Sequence, residues 1–217
     1  MVNRNKNYVY NVVIYLVIAN VISYIFQSFV DGYTINMALT SSELLQRPWM
    51  LVTHLFVHGS PLHLFFNMYV LFMFGPLVEH RIGSNKFLFI YFLSGIIAGL
   101  GFALINVASV GLGASGALMA ILGIVIVLFP DLKVLFFFVI PMSMRTAGII
   151  FALIDILGFV SSAPTGIAHI AHLIGLVCGV AYAYFLPKVR IVKKKSNIID
   201  IDLTKPQEEI DDYFKNK

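Results

Sequence analysis

Six stretches of this chain, each close to the length of one bilayer crossing, are almost free of charge. They cover residues 8–30, 62–78, 87–107, 112–129, 147–160 and 167–186. A helix rises about 1.5 Å per residue, so a hydrocarbon core of about 30 Å takes roughly 20 apolar residues. Hydrophobic residues make up 59% of the 217 and charged residues only 12%. A soluble domain of this size needs more polar cover than that. The bilayer is the expected solvent. An all-α bundle of six transmembrane helices is the expected fold, because a helix satisfies its own backbone hydrogen bonds in lipid.

The breaks between segments carry the topology. Arg4 and Lys6 precede the first segment, as they would a signal peptide. Its apolar run is longer than a signal core, however, and Asp31 and Gly32 follow in place of a small-residue cleavage site, so it is read as a retained helix. Residues 134–144 form a further apolar stretch, too short to span and interrupted by Pro141; an interfacial or half-inserted loop is predicted there. With the N-terminus in the cytoplasm, Arg4, Lys6, Arg81, Lys86, Lys133, Arg145 and the tail residues Lys188, Arg190, Lys193, Lys194 and Lys195 all lie inside, and the outer loops carry only Arg47. That asymmetry predicts both termini in the cytoplasm, which six spans satisfy.

The chain therefore divides into a cytoplasmic segment at 1–7, a membrane domain at 8–187 and a tail at 188–217 that turns from basic to acidic and is expected to be disordered. Lys193 to Lys195 are suited to anionic headgroups. The long outer loop at 31–61 is apolar enough over 49–57 to lie partly in the interface. The net charge of +4 is spread between segments instead of forming one patch, so no nucleic-acid partner is expected. The single cysteine, Cys178, excludes an intramolecular disulfide and reads as a packing residue.

Polar side chains within spans cost about 2.5–3.5 kcal/mol for a central charge, so each asks for a reason. They are His63 and Asn67 in the second segment, Ser115 in the fourth, Asp155 in the fifth, and His169 and His172 in the sixth. His63, Ser115 and His172 each fall within two turns of the outer end of their helix. Three distant parts of the chain thus converge at one depth.

A serine hydroxyl is a poor nucleophile until a base takes its proton, and histidine is the usual base near neutral pH. Ser115 sits in Gly113-Ala114-Ser115-Gly116, whose small residues admit a close neighbour. His172, Gly175 and Gly179 share one helical face. Packed against Gly116, Ala120 and Gly123, that notched face brings Ser115 to His172. His63 and Asn67, four apart, stack on one face and can donate to an oxyanion, as can the backbone N–H of Ser115. No carboxylate is well placed to complete a triad, so a Ser–His dyad is the economical reading. Asp155 is expected near the outer end of the fifth helix, within reach of interfacial water, where a pairing or gating role is open but nothing in the sequence supports it, and His169 is expected as a supporting polar contact. His54 and His58 are spaced like a metal pair, but no third ligand follows; they are expected to brace the outer loop, with no metal.

These residues resemble the rhomboid family over about residues 11–187. His63 through Asn67 is similar to its HxxxN element, Gly113 through Gly116 to GxSG, and Ala171, His172, Gly175 and Gly179 to AHxxGxxxG. Glu79, Arg81, Gly83 and Ser84 resemble the ExRxGS turn. The resemblance implies an intramembrane serine endopeptidase with Ser115 as nucleophile and His172 as general base and acid. His63, Asn67 and the Ser115 amide would hold the oxyanion, with Gly113 and Gly116 in support. It implies no cofactor or metal, and transmembrane protein segments as substrates, admitted past the fifth helix and the loop after it. It also implies a multi-pass protein, by analogy of the bacterial plasma membrane, with its site toward the outer side.

Two departures stand out. Met119 occupies the place, four after the nucleophile, where family members often carry an aromatic against the histidine, and its thioether is expected to pack there in support with a modest effect on base orientation; Trp49-Met50, with Arg47 nearby, replaces Trp-Arg in the outer loop. Two other functions fit parts of the pattern. A catalytically silent relative that binds transmembrane helices would lack the serine or histidine. A small transporter would keep its function in Ser115→Ala and show broken-helix pairs, which this sequence lacks.

Overall fold

The computed structural model describes residues 12–106, 109–136, 139–161, 166–186, 189–194 and 197–202. The segment predicted at 1–7, the start of the first span, the loop at 162–165 and the acidic end at 203–217 lie outside the described residues.

In chain order the elements are α1 (Val12–Phe29), α2 (Tyr33–Met37), β1 (Leu39–Thr40), α3 (Met50–Thr53), α4 (Pro61–Ile82), α5 (Ser84–Ile105), β2 (Val110–Gly111), α6 (Ser115–Leu128), β3 (Lys133–Phe136), β4 (Ile140–Ser143), α7 (Met144–Ser161), α8 (His169–Tyr184), β5 (Val189–Lys194) and β6 (Asn197–Asp202). Among the described residues four helices, α1, α4, α5 and α7, are long and apolar enough to cross a membrane, and α6 and α8 are shorter apolar helices. The predicted fourth and sixth segments therefore begin late as helices. Gly113, at φ 105°, and Gly166, at φ 71°, hold the chain out of helical geometry just before each.

Short α6 has a physical explanation. Every residue from Gly116 to Val125 is buried, so protein and not lipid surrounds this helix. Irregular backbone at membrane depth is tolerated where protein covers it. Above α6, β1 and β2 pair antiparallel, Leu39 with Gly111 and Thr40 with Val110. The outer helices invert the pattern of a soluble protein: Tyr15, Phe26, Phe65, Phe72, Leu153 and Leu157 are exposed, an apolar surface of the kind that faces lipid.

The turn between α4 and α5 rests on a buried carboxylate. Glu79 accepts from Ser84 Oγ at 2.7 Å and from the backbone N–H groups of Val12 and Val13 at 3.1 and 3.3 Å. A helix N-terminus presents unpaired N–H groups and partial positive charge, and an anion satisfies both. Glu79 thus joins the end of α4 to the start of α1, and Gly83, at φ 85°, makes the turn.

The structure departs from the all-α expectation outside the main helices. The stretch at 134–144, expected as an interfacial or half-inserted loop, carries a strand pair: β3 and β4 pair antiparallel, Lys133 with Ser143 through Phe136 with Ile140. A strand pair satisfies the backbone that Pro141 denies to a helix. In the tail predicted to be disordered, β5 and β6 likewise form an antiparallel ribbon, where β-branched Val189, Ile191, Val192, Ile198, Ile199 and Ile201 favour strands.

Candidate active site

The site assembles at the starts of three helices. Ser60 caps α4, its Oγ accepting from His63 N at 3.1 Å, and Pro61 follows at the first helical position. This fixes His63 in the first turn of α4 and Asn67 one turn below. Ser115 is the first residue of α6, so helix geometry leaves its N–H without an intrahelical partner. His172 stands in the first turn of α8, its N–H bonded to Ala168 O at 3.1 Å.

Glycines let these helices meet. A Cβ on Gly175 would stand 2.0 Å from Gly116 O, one on Gly179 1.9 Å from Ala120 O, and one on Gly123 2.7 Å from Leu176 O. The backbones of α6 and α8 touch along the face predicted from the small-residue pattern. The result is a hydrogen bond between Ser115 Oγ and His172 Nε2 at 2.8 Å.

His63 reaches the same place from α4. Its Nδ1 accepts from Gly59 N–H at 3.4 Å, which leaves the proton on Nε2. A Cβ on Gly113 would lie 2.8 Å from that Nε2, so glycine is required for the ring to reach the loop before Ser115. Asn67 is buried and its Nδ2 donates to His63 O at 2.8 Å; the amide's second hydrogen remains for another acceptor. A small cavity of about 20 Å³, room for roughly one water, borders Ser115, Gly113, Gly116, His54 and Ala171. Met119 is buried in the core, and His169 sets its ring edge-on to His172, the centroids 6.5 Å apart.

Asp155 corrects the sequence reading. The carboxylate left without a role lies 95% buried against α8, and its Oδ1 accepts from His169 Nδ1 at 2.8 Å and from His172 Nδ1 at 3.0 Å. A carboxylate is therefore placed on the far side of the imidazole from Ser115. The signal was present, since a carboxylate within an apolar span is costly. Spacing alone could not say which way α7 turns it.

The outer loop is braced by residues that periodicity does not reveal. Gln27, on α1, clamps the backbone of His58: its Nε2 donates to His58 O at 2.7 Å, and its Oε1 accepts from His58 N at 3.1 Å. The His58 ring is fully buried, edge-on to His63 at 5.1 Å. His54 Nδ1 donates to Met50 O at 2.8 Å, and His54 O accepts from Gly113 N at 2.9 Å. Trp49 Nε1 donates to Asn36 O, while Arg47 pairs with Glu43. Among the described residues no group of three His, Cys, Asp or Glu comes together as metal ligands.

Burial holds both loop histidines neutral. It lowers His54 to about 4, and burial followed by the neighbouring His63 lowers His58 to about 4. Above the unfolded value near 6.5 neither state binds a proton at these rings, and their contribution to stability is complete. As pH falls from about 6.5 towards 4, the unfolded chain takes up protons that the folded one refuses. Stability should then fall by about 1.4 kcal/mol per pH unit per histidine. Melting of the detergent-solubilised protein should show this acid loss, and His58→Phe should reduce its slope; identical slopes would contradict the assignment.

The Rhomboid domain family model matches residues 45–189, a stretch that contains every residue of the site. This chain belongs to the rhomboid family. YdcA of Bacillus subtilis (strain 168), which carries the name of a rhomboid protease, is 30% identical to this rhomboid over 169 residues, 76% of this chain and 75% of that one. The rhomboid protease GlpG of Yersinia pestis (strain Pestoides F) is 30% identical over 151 residues, 67% of this chain and 50% of GlpG. GlpG of Yersinia pseudotuberculosis serotype I (strain IP32953) is 31% identical over the same length. This rhomboid spans only about half the length of those GlpG proteins. With its apolar helices, family membership makes it an integral, multi-pass membrane protein.

Proposed function

We propose that this rhomboid is a serine endopeptidase that hydrolyses peptide bonds in or near the transmembrane segments of membrane-protein substrates, with Ser115 as nucleophile and His172 as general base and acid. The observation that carries the reading is the 2.8 Å bond between Ser115 Oγ and His172 Nε2. It joins the first turns of two helices whose starts lie 54 residues apart in the chain, Ser115 and His169. A hydroxyl and an imidazole at that distance are in reach for proton transfer.

The oxyanion of the tetrahedral intermediate would face the Ser115 N–H, His63 Nε2–H and the amide of Asn67, donors fixed before the reaction begins. No metal or cofactor enters this chemistry. Six spans with both termini in the cytoplasm place the site near the outer face, and a bacterial plasma membrane is the membrane that fits. Water reaches the site from that face, since the apolar bundle excludes it elsewhere. The substrate enters past α7, whose Ile149, Leu153, Leu157 and Val160 are exposed; residues 162–165 of the loop after α7, read as part of the gate, lie outside the described residues.

Purified protein incubated with a fluorophosphonate probe and a model transmembrane substrate tests the proposal. Labelling and cleavage should both vanish in Ser115→Ala and in His172→Ala. Cleavage by Ser115→Ala at the wild-type rate would remove the protease reading and leave the transporter or binding alternatives.

A further inference from the structure

The Ser–His pair has a neighbour that neither spacing nor the family comparison assigns. Asp155 is the one acidic residue of α7, and it is turned inward, while most of that helix is apolar and faces outward. One oxygen, Oδ1, takes hydrogen bonds from Nδ1 of two histidines one turn apart on α8. Gly158, the next turn of α7 on the same face, leaves the space that the second ring fills: a Cβ there would stand 2.3 Å from His169 Nε2. A carboxylate and a glycine notch on α7 therefore hold a histidine pair on α8.

The bond pattern points to the nitrogen that would carry the proton beside an ionised carboxylate. An ionised carboxylate only accepts, so both Nδ1 atoms must donate. With its proton on Nδ1, neutral His172 presents a lone pair on Nε2, 2.8 Å from Ser115 Oγ. That is the tautomer a general base needs; the other one would point an N–H at the hydroxyl and could accept nothing.

We propose that Asp155 is the positioning residue of His172, completing a Ser115–His172–Asp155 chain across three helices, with His169 as the second donor that satisfies the buried carboxylate. The inference rests on the Ser–His reading above. As Ser115 Oγ bonds to the substrate carbonyl carbon, its proton passes to His172 Nε2. The Nδ1 proton stays on the imidazolium, and Asp155 stays ionised beside it. The Nε2 proton then goes to the departing amine nitrogen as the carbon–nitrogen bond breaks. A water attacks the acyl-enzyme by the same route, its proton passing through Nε2 back to Ser115. Asp155 touches neither substrate nor nucleophile; it orients the ring and offsets its transient charge.

Asp155→Asn keeps the shape but can offer an N–H to Nδ1, which favours the wrong tautomer. It should lower kcat and the rate of fluorophosphonate labelling by about 10²–10⁴-fold, with KM within about threefold and an unchanged melting temperature. His169→Ala leaves the Asp155–His172 bond in place and should cost less than about tenfold. A purely structural clasp predicts the two variants equally damaged, with activity following stability, and that result would overturn the proposal, as would full activity in Asp155→Asn. Histidine ¹⁵N NMR of the intact wild type reads the tautomer without the variant. With the His172 signals assigned by their loss in His172→Ala, an Nδ1–H form is expected, and an Nε2–H form would overturn the inference. Ser115→Ala separates the two levels: labelling that persists there fells the protease reading itself. Labelling lost there but untouched in Asp155→Asn fells only the role of Asp155.

Discussion

Ser115→Ala and His172→Ala are each expected to lower kcat for a transmembrane substrate by about 10⁴–10⁶-fold, and the double variant to be no slower than either single one. The two groups act as one device. Without the imidazole the hydroxyl keeps its proton, and without the hydroxyl the imidazole has nothing to activate, so the second deletion removes nothing further. The geometry behind this is the 2.8 Å bond from Oγ to Nε2. Residual turnover should then depend on the oxyanion donors. Asn67→Ala in the otherwise intact site should cost about 10²–10³-fold in kcat with KM little changed. Single-turnover rates for the four proteins decide the matter. Additive losses from Ser115 and His172 would mean that the residues act independently, and the proposed mechanism would fail.

The second large effect comes from residues with no chemistry. Gly175→Ala and Gly179→Ala are expected to destabilise the protein by about 1–3 kcal/mol and to lower activity by at least about 100-fold. The added carbons would lie 2.0 Å from Gly116 O and 1.9 Å from Ala120 O. Both obstacles are backbone, and a carbon normally stands about 3.3 Å or more from a carbonyl oxygen. The helices must separate by more than about 1 Å, and the separation falls on the bond between Ser115 and His172. Gly101→Ala supplies the contrast. Its Cβ would approach Ile174 Cδ1 at 2.1 Å, a closeness similar to the other two. The obstacle there is the tip of a flexible side chain, which can change rotamer. Gly101→Ala should therefore keep at least about half of wild-type labelling. Melting curves and labelling rates measured together would test the pair, and tolerance of Gly179→Ala equal to that of Gly101→Ala would show that close α6–α8 contact is not what holds the site.

The acid sensitivity expected of His54 and His58 belongs to a different part of the molecule. Those rings support the loop that presents Gly113 and His63, so loss of stability at low pH should reach the site through that loop. Melting and labelling compared across the same pH range check this.

Much of this protein was legible from residue types and their periods. Apolar segments of bilayer length announce a membrane bundle, because lipid leaves the backbone no other partner than itself. Gly116, Ala120, Gly123, Gly175 and Gly179 announce close approach, since the absence of a side chain has a geometric meaning that survives without coordinates. Ser115, His172, His63 and Asn67 stood out because polar groups in spans need a reason. Only the tertiary structure decided what depends on rotation about a helix axis and on contacts between distant segments. It turned Asp155 inward to two histidines, set Gly158 against His169, seated Gln27 on His58, and paired β3 with β4 within the loop expected at Pro141. A sequence gives each helix its period but not its angle to its neighbours. That angle follows from side chains packing together all at once, and here it determines which carboxylate meets which imidazole.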